Sequence, residues 1–342
     1  MKIYFFSSLF SLGIFVNAQN PITPFERNHQ HSATYKECIQ YFKSLDQSHH
    51  QIHIIDAGPS DLSYPINLVI IDKDGLINPR KIRAQHRTII FINNGIHPGE
   101  PEGIDASMQI ARDMVLKPKM KTLLDSISLV IVPVYNIGGA LKRNNTSRTN
   151  QNGPEYYGFR GNNNYLDLNR DFVKQDSRNA RTFASAFQEW NPDIFIDTHT
   201  TDGADYPYEI SLLTGMREKL GETLSGYIYE KMLPEIYTLM KKSGTELISY
   251  VEFDQKIEDG MYAFYDRPRF SSGYAAMYHT LPFVIETHML KPFENRVQST
   301  YLLLKTFIQY SAFHKKDIIS IRKKSMIEFL QMKNYPLRWK IN

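Results

Sequence analysis

The chain contains one cysteine, Cys38, among its 342 residues. A single cysteine cannot form an internal disulfide, which excludes the cross-linked frameworks of small secreted domains. The fold must therefore be held together by a hydrophobic core, and a chain of this length can bury one in a single large domain or in two small ones.

Long hydrophobic runs are also scarce, and the most apolar one lies at the N-terminus. Residues 1–18 combine one lysine, an apolar stretch from Ile3 to Val16 and a small-residue ending at Ala18, a pattern typical of a secretory signal peptide cleaved after Ala18. The stretch is shorter than the roughly 20 residues that span a bilayer, and no cysteine stands near the cleavage point for lipid attachment. We therefore expect an exported protein, periplasmic or secreted, with no stable membrane anchor.

Charge of one sign is not in excess, because 40 Lys and Arg residues against 36 Asp and Glu residues give a net charge of +4. No block of Lys and Arg alternates with aromatic residues. A nucleic-acid-binding surface needs such a concentration of positive charge. The sequence therefore indicates no nucleic-acid partner.

Short β-branched and apolar segments alternate with segments of helical periodicity. The predicted strands cover residues 52–56, 66–71, 89–92, 127–132, 193–198, 208–213 and 281–287, and the predicted helices cover 34–45, 101–115, 177–190, 220–242, 297–313 and 318–332. This alternation is typical of α/β proteins. We predict a single α/β domain over residues 19–342 with a central mixed, mostly parallel sheet flanked by helices. Residues 19–50 would form an N-terminal segment and 318–342 a C-terminal helical extension.

The stretch TIIFINNGIHPGEPEG, residues 88–103, ends a buried strand in a tight turn that carries His97 and Glu100. A His-x-x-Glu pair can supply two zinc ligands. With 11 His and 36 acidic residues in the chain, roughly one such pair is expected by chance. The strand, the turn residues and the helical segment around this pair distinguish it from the other matches.

Two further chemically active side chains end apolar strands in the same way. His199 ends the strand predicted at 193–198, and Glu286 ends the one at 281–287. Ligands of α/β sheets collect at the carboxyl ends of the strands. His97, Glu100 and His199 together form a two-His, one-carboxylate set that leaves the fourth zinc position open, as catalytic zinc sites do.

Four motifs in order resemble the zinc carboxypeptidases of the carboxypeptidase A type: HPGE at 97–100, a Gly/Asn/Arg-rich loop ending in DLNRDF at 167–172, DTHT at 197–200 and VIETH at 284–288. The resemblance covers about residues 87–292. It implies a zinc carboxypeptidase fold, one Zn²⁺ per chain and hydrolysis of the last peptide bond of a peptide with a free C-terminal carboxylate.

The resemblance also implies a role for individual residues. His97, Glu100 and His199 would hold the zinc, and Asp167 would orient His97. Asn169 and Arg170 would bind the terminal carboxylate, for which an arginine fork is well suited. Glu286 would be the general base. An unpaired charge at the end of an apolar strand costs several kcal/mol, which makes a purely structural role for Glu286 unattractive. The resemblance thus gives roles to Asp167, Asn169, Arg170 and Glu286 in addition to the three zinc ligands.

Some assignments stay open at this point. Arg160 matches the arginine that holds the oxyanion, with Arg143 and Arg148 as alternatives in the same loop. A tyrosine that covers the substrate is expected about twenty residues before the general base, where Tyr262, Tyr265 and Tyr274 compete, and we assign Tyr274 to substrate binding. The floor of the pocket for the terminal side chain lies in the same window, with Asp254, Asp259, Asp266 and Tyr274 as candidates.

The leading hypothesis is thus an exported zinc-dependent metallocarboxypeptidase. A second hypothesis keeps the zinc but changes the substrate to a cell-wall peptide or an N-acyl amino acid, which would make the protein an amidase or deacylase. A third is a zinc- or peptide-binding protein without turnover. A candidate base and two carboxylate-binding residues in one chain favour the first.

Overall fold

A computed structural model describes residues 21–253, 258 and 260–334 of the chain. The predicted signal peptide, residues 1–18, and two of the candidate pocket residues, Asp254 and Asp259, lie outside the described residues. No helix among the described residues is long and apolar enough to cross a membrane.

An eight-stranded mixed sheet forms the centre of the domain, with the strand order β1-β2-β4-β3-β5-β10-β6-β7. Four neighbouring pairs are parallel, namely β3 with β4, β3 with β5, β5 with β10 and β6 with β7, and the other three are antiparallel. The prediction of an α/β domain with a mixed, mostly parallel sheet is confirmed. The strands of the described residues are β1 Ile52–Pro59, β2 Pro65–Ile71, β3 Thr88–Asn93, β4 Ile127–Val132, β5 Ile194–Thr201, β6 Ile210–Thr214, β7 Leu247–Ser249, β8 Glu252–Phe253, β9 Met261–Tyr262 and β10 Leu281–His288.

Helices cover both faces of this sheet. They are α1 Pro24–Arg27, α2 Tyr35–Ser48, α3 Pro79–Ala84, α4 Glu102–Leu116, α5 Pro118–Lys121, α6 Ile137–Leu141, α7 Arg178–Trp190, α8 Arg217–Tyr227, α9 Leu233–Lys242, α10 Ser271–Ala276, α11 Phe293–Phe313 and α12 Lys315–Gln331. The segment Ile228–Met232 between α8 and α9 is a π-helix, and 3₁₀ turns lie at Thr122–Asp125 and Leu168–Arg170.

The side chains on the two faces of the central strands pack in two separate hydrophobic cores. In β3, Ile90 and Ile92 pack on the side of α2, α4 and α11, while Ile89 and Phe91 pack on the side of α7 and α10. All six residues of β3 are buried, which explains why its sequence is continuously apolar rather than alternating. The result is a three-layer domain whose central strands end at one edge of the sheet.

Candidate active site

The turn after β3 places the first two predicted zinc ligands. The chain passes through Gly95, at φ +65°, to His97 and Glu100, and α4 begins at Glu102. Gly103 lets that helix pack against β5, because a Cβ there would lie 1.9 Å from Thr198 Oγ1. The third predicted ligand, His199, lies near the end of β5.

The three predicted ligands meet at one point. The Nδ1 atoms of His97 and His199 lie 3.2 Å and 3.1 Å from the two carboxylate oxygens of Glu100, and one ligand atom from each residue fits within 4.8 Å of the others. All three side chains are buried. Two imidazoles and one carboxylate at these separations form a donor set suited to zinc.

Each histidine is oriented by a carboxylate on its other ring nitrogen. His97 Nε2 lies 3.0 Å from Asp167 Oδ1, and His199 Nε2 lies 2.9 Å from Asp197 Oδ2. Such contacts select the tautomer that leaves Nδ1 as the metal ligand. Burial opposes ionisation of Asp167, but the hydrogen bond with His97 and its charge outweigh burial and hold the pKa of Asp167 well below its usual range.

The predicted general base lies beside the ligand set because of the strand register. β10 runs parallel to β5 with Glu286 opposite His199. Burial raises the pKa of Glu286 to about 8, an effect that Glu100 reinforces and His199 and Arg148 oppose. A carboxyl group with a raised pKa beside a candidate metal site is typical of a proton-transfer residue.

One cavity of about 230 Å³ connects most of the predicted residues. Its lining includes His97, Glu100, Arg148, Arg160, Asn169, Arg170, His199, Tyr250, Phe264, Phe270 and Glu286. The structure thus brings the ligands, the candidate base and the carboxylate-binding pair together. Arg143 lies elsewhere, because its guanidinium donates to the carbonyls of Ser32 and Tyr156.

The structure does not bring Tyr274 to this cavity. Its side chain is 1% exposed and packs in the core against Phe172 and Phe187, with its hydroxyl 3.2 Å from that of Tyr278. A residue that covers substrate must face the cavity, and a tyrosine held among core rings does not. Asp266 is also absent from the lining, since its carboxylate is buried in an ion pair with Lys219.

Three pocket features escaped the sequence analysis. Tyr250 lines the cavity, and burial together with the charge of Glu286 raises the pKa of its phenol. Asp197 orients His199, and the signal for it was available: residues two apart in a strand point to the same face. Thr200 donates its backbone N–H to Glu100 at 2.9 Å. Tyr250 precedes Glu286 by 36 residues, whereas the resemblance implies a tyrosine about twenty residues before the base.

Comparison with known proteins decides the family. A family model described as zinc carboxypeptidase matches residues 38–211, just over half of the chain. The chain belongs to the zinc carboxypeptidase family. It is therefore a metallopeptidase with zinc as its cofactor, and the donor set of His97, Glu100 and His199 fits that metal.

Solved structures with the fold of this family resemble the chain at low identity. A metallo-carboxypeptidase from Pseudomonas aeruginosa, in complex with (2-guanidinoethylmercapto)succinic acid, aligns with a TM-score of 0.60 and 13% identity over 84% of this chain and 70% of that one. Carboxypeptidase A from Helicoverpa armigera aligns with a TM-score of 0.60 and 13% identity over 89% of this chain and 75% of that one. A metallo-carboxypeptidase from Burkholderia cenocepacia aligns with a TM-score of 0.59 and 14% identity over 86% of this chain and 70% of that one. At these identities the likeness shows the fold. The comparison with curated proteins gave no match.

Proposed function

We propose that this protein is an exported metallocarboxypeptidase that hydrolyses the peptide bond preceding a free C-terminal residue, with Glu286 as the general base. The observation that carries the proposal is the composition of one cavity. It combines the zinc donor set, the carboxyl group of Glu286 and the pair Asn169 and Arg170. A zinc site without a carboxylate-binding pair would not favour this activity over other hydrolyses.

Asn169 and Arg170 have donors available for a terminal carboxylate. The side-chain N–H₂ of Asn169 forms no hydrogen bond with any residue in the described ranges, while its oxygen accepts from the Ser271 backbone at 3.4 Å. The Arg170 guanidinium lies 4.6 Å above the ring of Phe270 and donates to the carbonyl of Asn169. The stacking fixes the plane of the fork and leaves N–H groups for two parallel bonds to a carboxylate.

Arg160 is suited to the oxyanion role. Its Nε and Nη2 donate to Asp167 Oδ2 at 3.1 Å and 2.9 Å, while Nη1 lies 3.3 Å from His97 Nδ1. The side chain is 46% exposed, so substrate can reach it. Arg148 is 11% exposed and is engaged by Glu100, Gln151 and the Thr200 carbonyl. We therefore assign the oxyanion to Arg160 and a positioning role to Arg148.

Zinc, when bound, supplies Lewis acidity that activates water and polarises a carbonyl oxygen. Glu286 accepts the proton of the attacking water and returns it to the leaving amine. Arg160 donates to the oxygen on which negative charge develops. Asn169 and Arg170 hold the terminal carboxylate so that the last peptide bond lies beside the base.

The proposal is tested by mass spectrometry of a mixed peptide pool incubated with the purified protein. We expect stepwise loss of C-terminal residues, which a chelator abolishes and added zinc restores. Glu286→Gln should retain zinc and lose turnover by a factor of about 10² to 10⁴, whereas Glu252→Gln, which changes another acid of the same cavity, should keep it. A pool left intact by the zinc-loaded protein would refute the carboxypeptidase assignment, and release of acyl groups or cell-wall fragments instead would favour an amidase or deacylase.

Export is proposed from the sequence of residues 1–18. N-terminal sequencing of protein recovered from the periplasm or medium should give a chain that starts at Gln19. Protein that stays in the cytoplasm with residues 1–18 still attached would refute this part of the proposal and leave the assignment of the active site untouched.

A further inference from the structure

Arg296 of α11 is fully buried, and its guanidinium donates to five acceptors. Its Nε donates to Glu102 Oε1 at 2.6 Å. The remaining N–H groups donate to backbone carbonyls of two chain segments, those of Asn152, Gly153, Met289 and Lys291. Arg296 thereby joins the loop that carries Arg148 to the end of β10.

Glu102 extends this contact towards the ligands. Its other oxygen accepts from Thr200 Oγ1 at 2.6 Å. Because Thr200 has one hydroxyl proton and gives it to the carboxylate, Thr287 Oγ1, 2.8 Å away, donates to Thr200 in turn. Glu102, Thr200 and Thr287 are all at most 2% exposed, so each of these bonds is shielded from water.

Thr200 is linked to the candidate zinc ligand Glu100 both directly and through Arg148. Its backbone N–H donates to Glu100 Oε2 at 2.9 Å, and its carbonyl accepts from Arg148 Nη2 at 2.8 Å. Arg148 Nη1 then donates to Glu100 Oε1 at 2.8 Å. One oxygen of the Glu100 carboxylate is therefore held directly by the Thr200 peptide N–H, and the other through Arg148, which the Thr200 carbonyl holds. The Thr200 side chain is in turn held by Glu102.

We propose that Arg296, Glu102 and Thr200 form a positioning relay that sets the orientation of the Glu100 carboxylate and so the affinity for zinc. A buried ion pair such as Arg296 with Glu102 is weak evidence for stability, because apolar residues of similar volume stabilise as well. Fixing a metal ligand gives this pair a role that apolar residues cannot fill. The proposal concerns the zinc site alone and is measured without any peptide substrate.

The test is the zinc dissociation constant of Thr200→Val, measured by competition with a chromophoric chelator. Valine keeps the shape and the backbone donor but removes Oγ1. We expect zinc binding to weaken about 10- to 100-fold. The visible spectrum of the Co²⁺-substituted protein should also change. Thr200→Ser should restore both the affinity and the spectrum. Thr280→Val is the matched control, because Thr280 is equally buried and donates to the carbonyl of Pro192, which precedes β5, whereas His199 lies near the other end of that strand.

Wild-type zinc affinity in a folded Thr200→Val, or equal weakening in Thr280→Val, would overturn the relay. If Thr200→Val does not fold, Glu102→Gln tests the same relay from its other end. Glutamine keeps the side-chain volume but has one acceptor oxygen instead of two, so it cannot accept hydrogen bonds from both Arg296 and Thr200 as the carboxylate does. Unchanged zinc affinity in Glu102→Gln would also overturn the proposal, and weaker binding with retained secondary structure would support it.

Discussion

In the metal-free protein the surroundings shift the pKa values of both His199 and Glu286 upwards, towards the protonated forms. Burial lowers the pKa of His199, but the adjacent Asp197 outweighs burial and raises this pKa well above its ordinary value, and burial raises the pKa of Glu286 to about 8. A ligand imidazole must lose its proton to bind metal, and a nearby dication favours the ionised form of Glu286. Zinc binding therefore releases protons, and zinc affinity falls as the pH falls.

The release can be counted by titration calorimetry at pH 6.5 in two buffers of different ionisation enthalpy. We expect Glu286→Gln to release about one proton fewer than the wild type, because glutamine has none to lose. Glu252→Gln serves as the control and should match the wild type. Equal release by Glu286→Gln and the wild type would mean that Glu286 does not change its protonation state when the metal binds.

Arg170 and Arg269 allow a matched test of carboxylate recognition. Both guanidinium groups stack on Phe270, at 4.6 Å and 5.3 Å from the ring centre, but of the two only Arg170 lines the cavity. Arg170→Ala should lower kcat/KM for peptides with a free C-terminus roughly 10- to 100-fold, the value of a charged hydrogen-bonded contact. Zinc content should not change, and Arg269→Ala should behave as the wild type. Equal losses on amidated peptides would exclude a role in reading the carboxylate.

The clustering of His97, His199 and Glu286 was predictable from the sequence, because each lies at or just past the carboxyl end of a predicted strand and parallel strands end at one edge of the sheet. The positions of Tyr274 and Tyr250 relative to the cavity were not predictable from the sequence. Linear distance from Glu286 cannot tell a tyrosine inside α10, which faces the core, from one after β7 that faces the cavity. With 21 tyrosines and 20 phenylalanines in the chain, aromatic identity near the right spacing carries little information.

At the scale of elements, a buried arginine links the helix α12 to the sheet. Arg322 donates to Asp193, which lies just before β5, and to the carbonyls of Asn191, Tyr278 and His279. Asp193 also pairs with Arg83. The helix thus closes the amino ends of β5 and β10, at the opposite edge from the zinc site.

Arg322→Ala should destabilise the protein by roughly 3 kcal/mol, because it removes one partner from a buried charge pair. Lys324→Ala is the control on the same helix. Lys324 is exposed and pairs with Glu328 at 3.7 Å, so its loss should stay within about 0.5 kcal/mol. Urea unfolding of both variants measures the difference. Similar stability of the two variants would show that α12 packs without depending on Arg322.

The long helices and most strands of the sheet were predictable from apolar periodicity, whereas one long predicted helix proved to be three segments. Residues 217–242 contain Gly221 at φ +71° and Pro234 near the start of α9. Proline lacks the N–H that an α-helix interior requires, and the chain takes a π-helical turn at Ile228–Met232 immediately before it. The short elements α3, β7, β8, β9 and α10 carry too few residues for a period to be read.

At the scale of the whole molecule, the two hydrophobic cores lie on the two faces of the sheet. The buried residues His97, Glu100 and His199 lie where β3 and β5 end. The ligands come from the turn after β3 and from the end of β5, two strands that are already paired in the centre of the sheet. The candidate ligands are therefore held by paired strands that the two hydrophobic cores stabilise.

Removal of zinc should consequently lower the stability of the protein without unfolding it. Binding to the native state alone stabilises by about 4 kcal/mol at free zinc 1,000-fold above Kd, so chelation should lower Tm by several degrees while far-UV circular dichroism at 25 °C stays unchanged. His97→Ala, which lacks one ligand, should show little response of Tm to either zinc or chelator. Loss of secondary structure on chelation would contradict this expectation, because it would make the metal a condition of folding, as it is in zinc fingers, rather than a cofactor bound by a completed sheet.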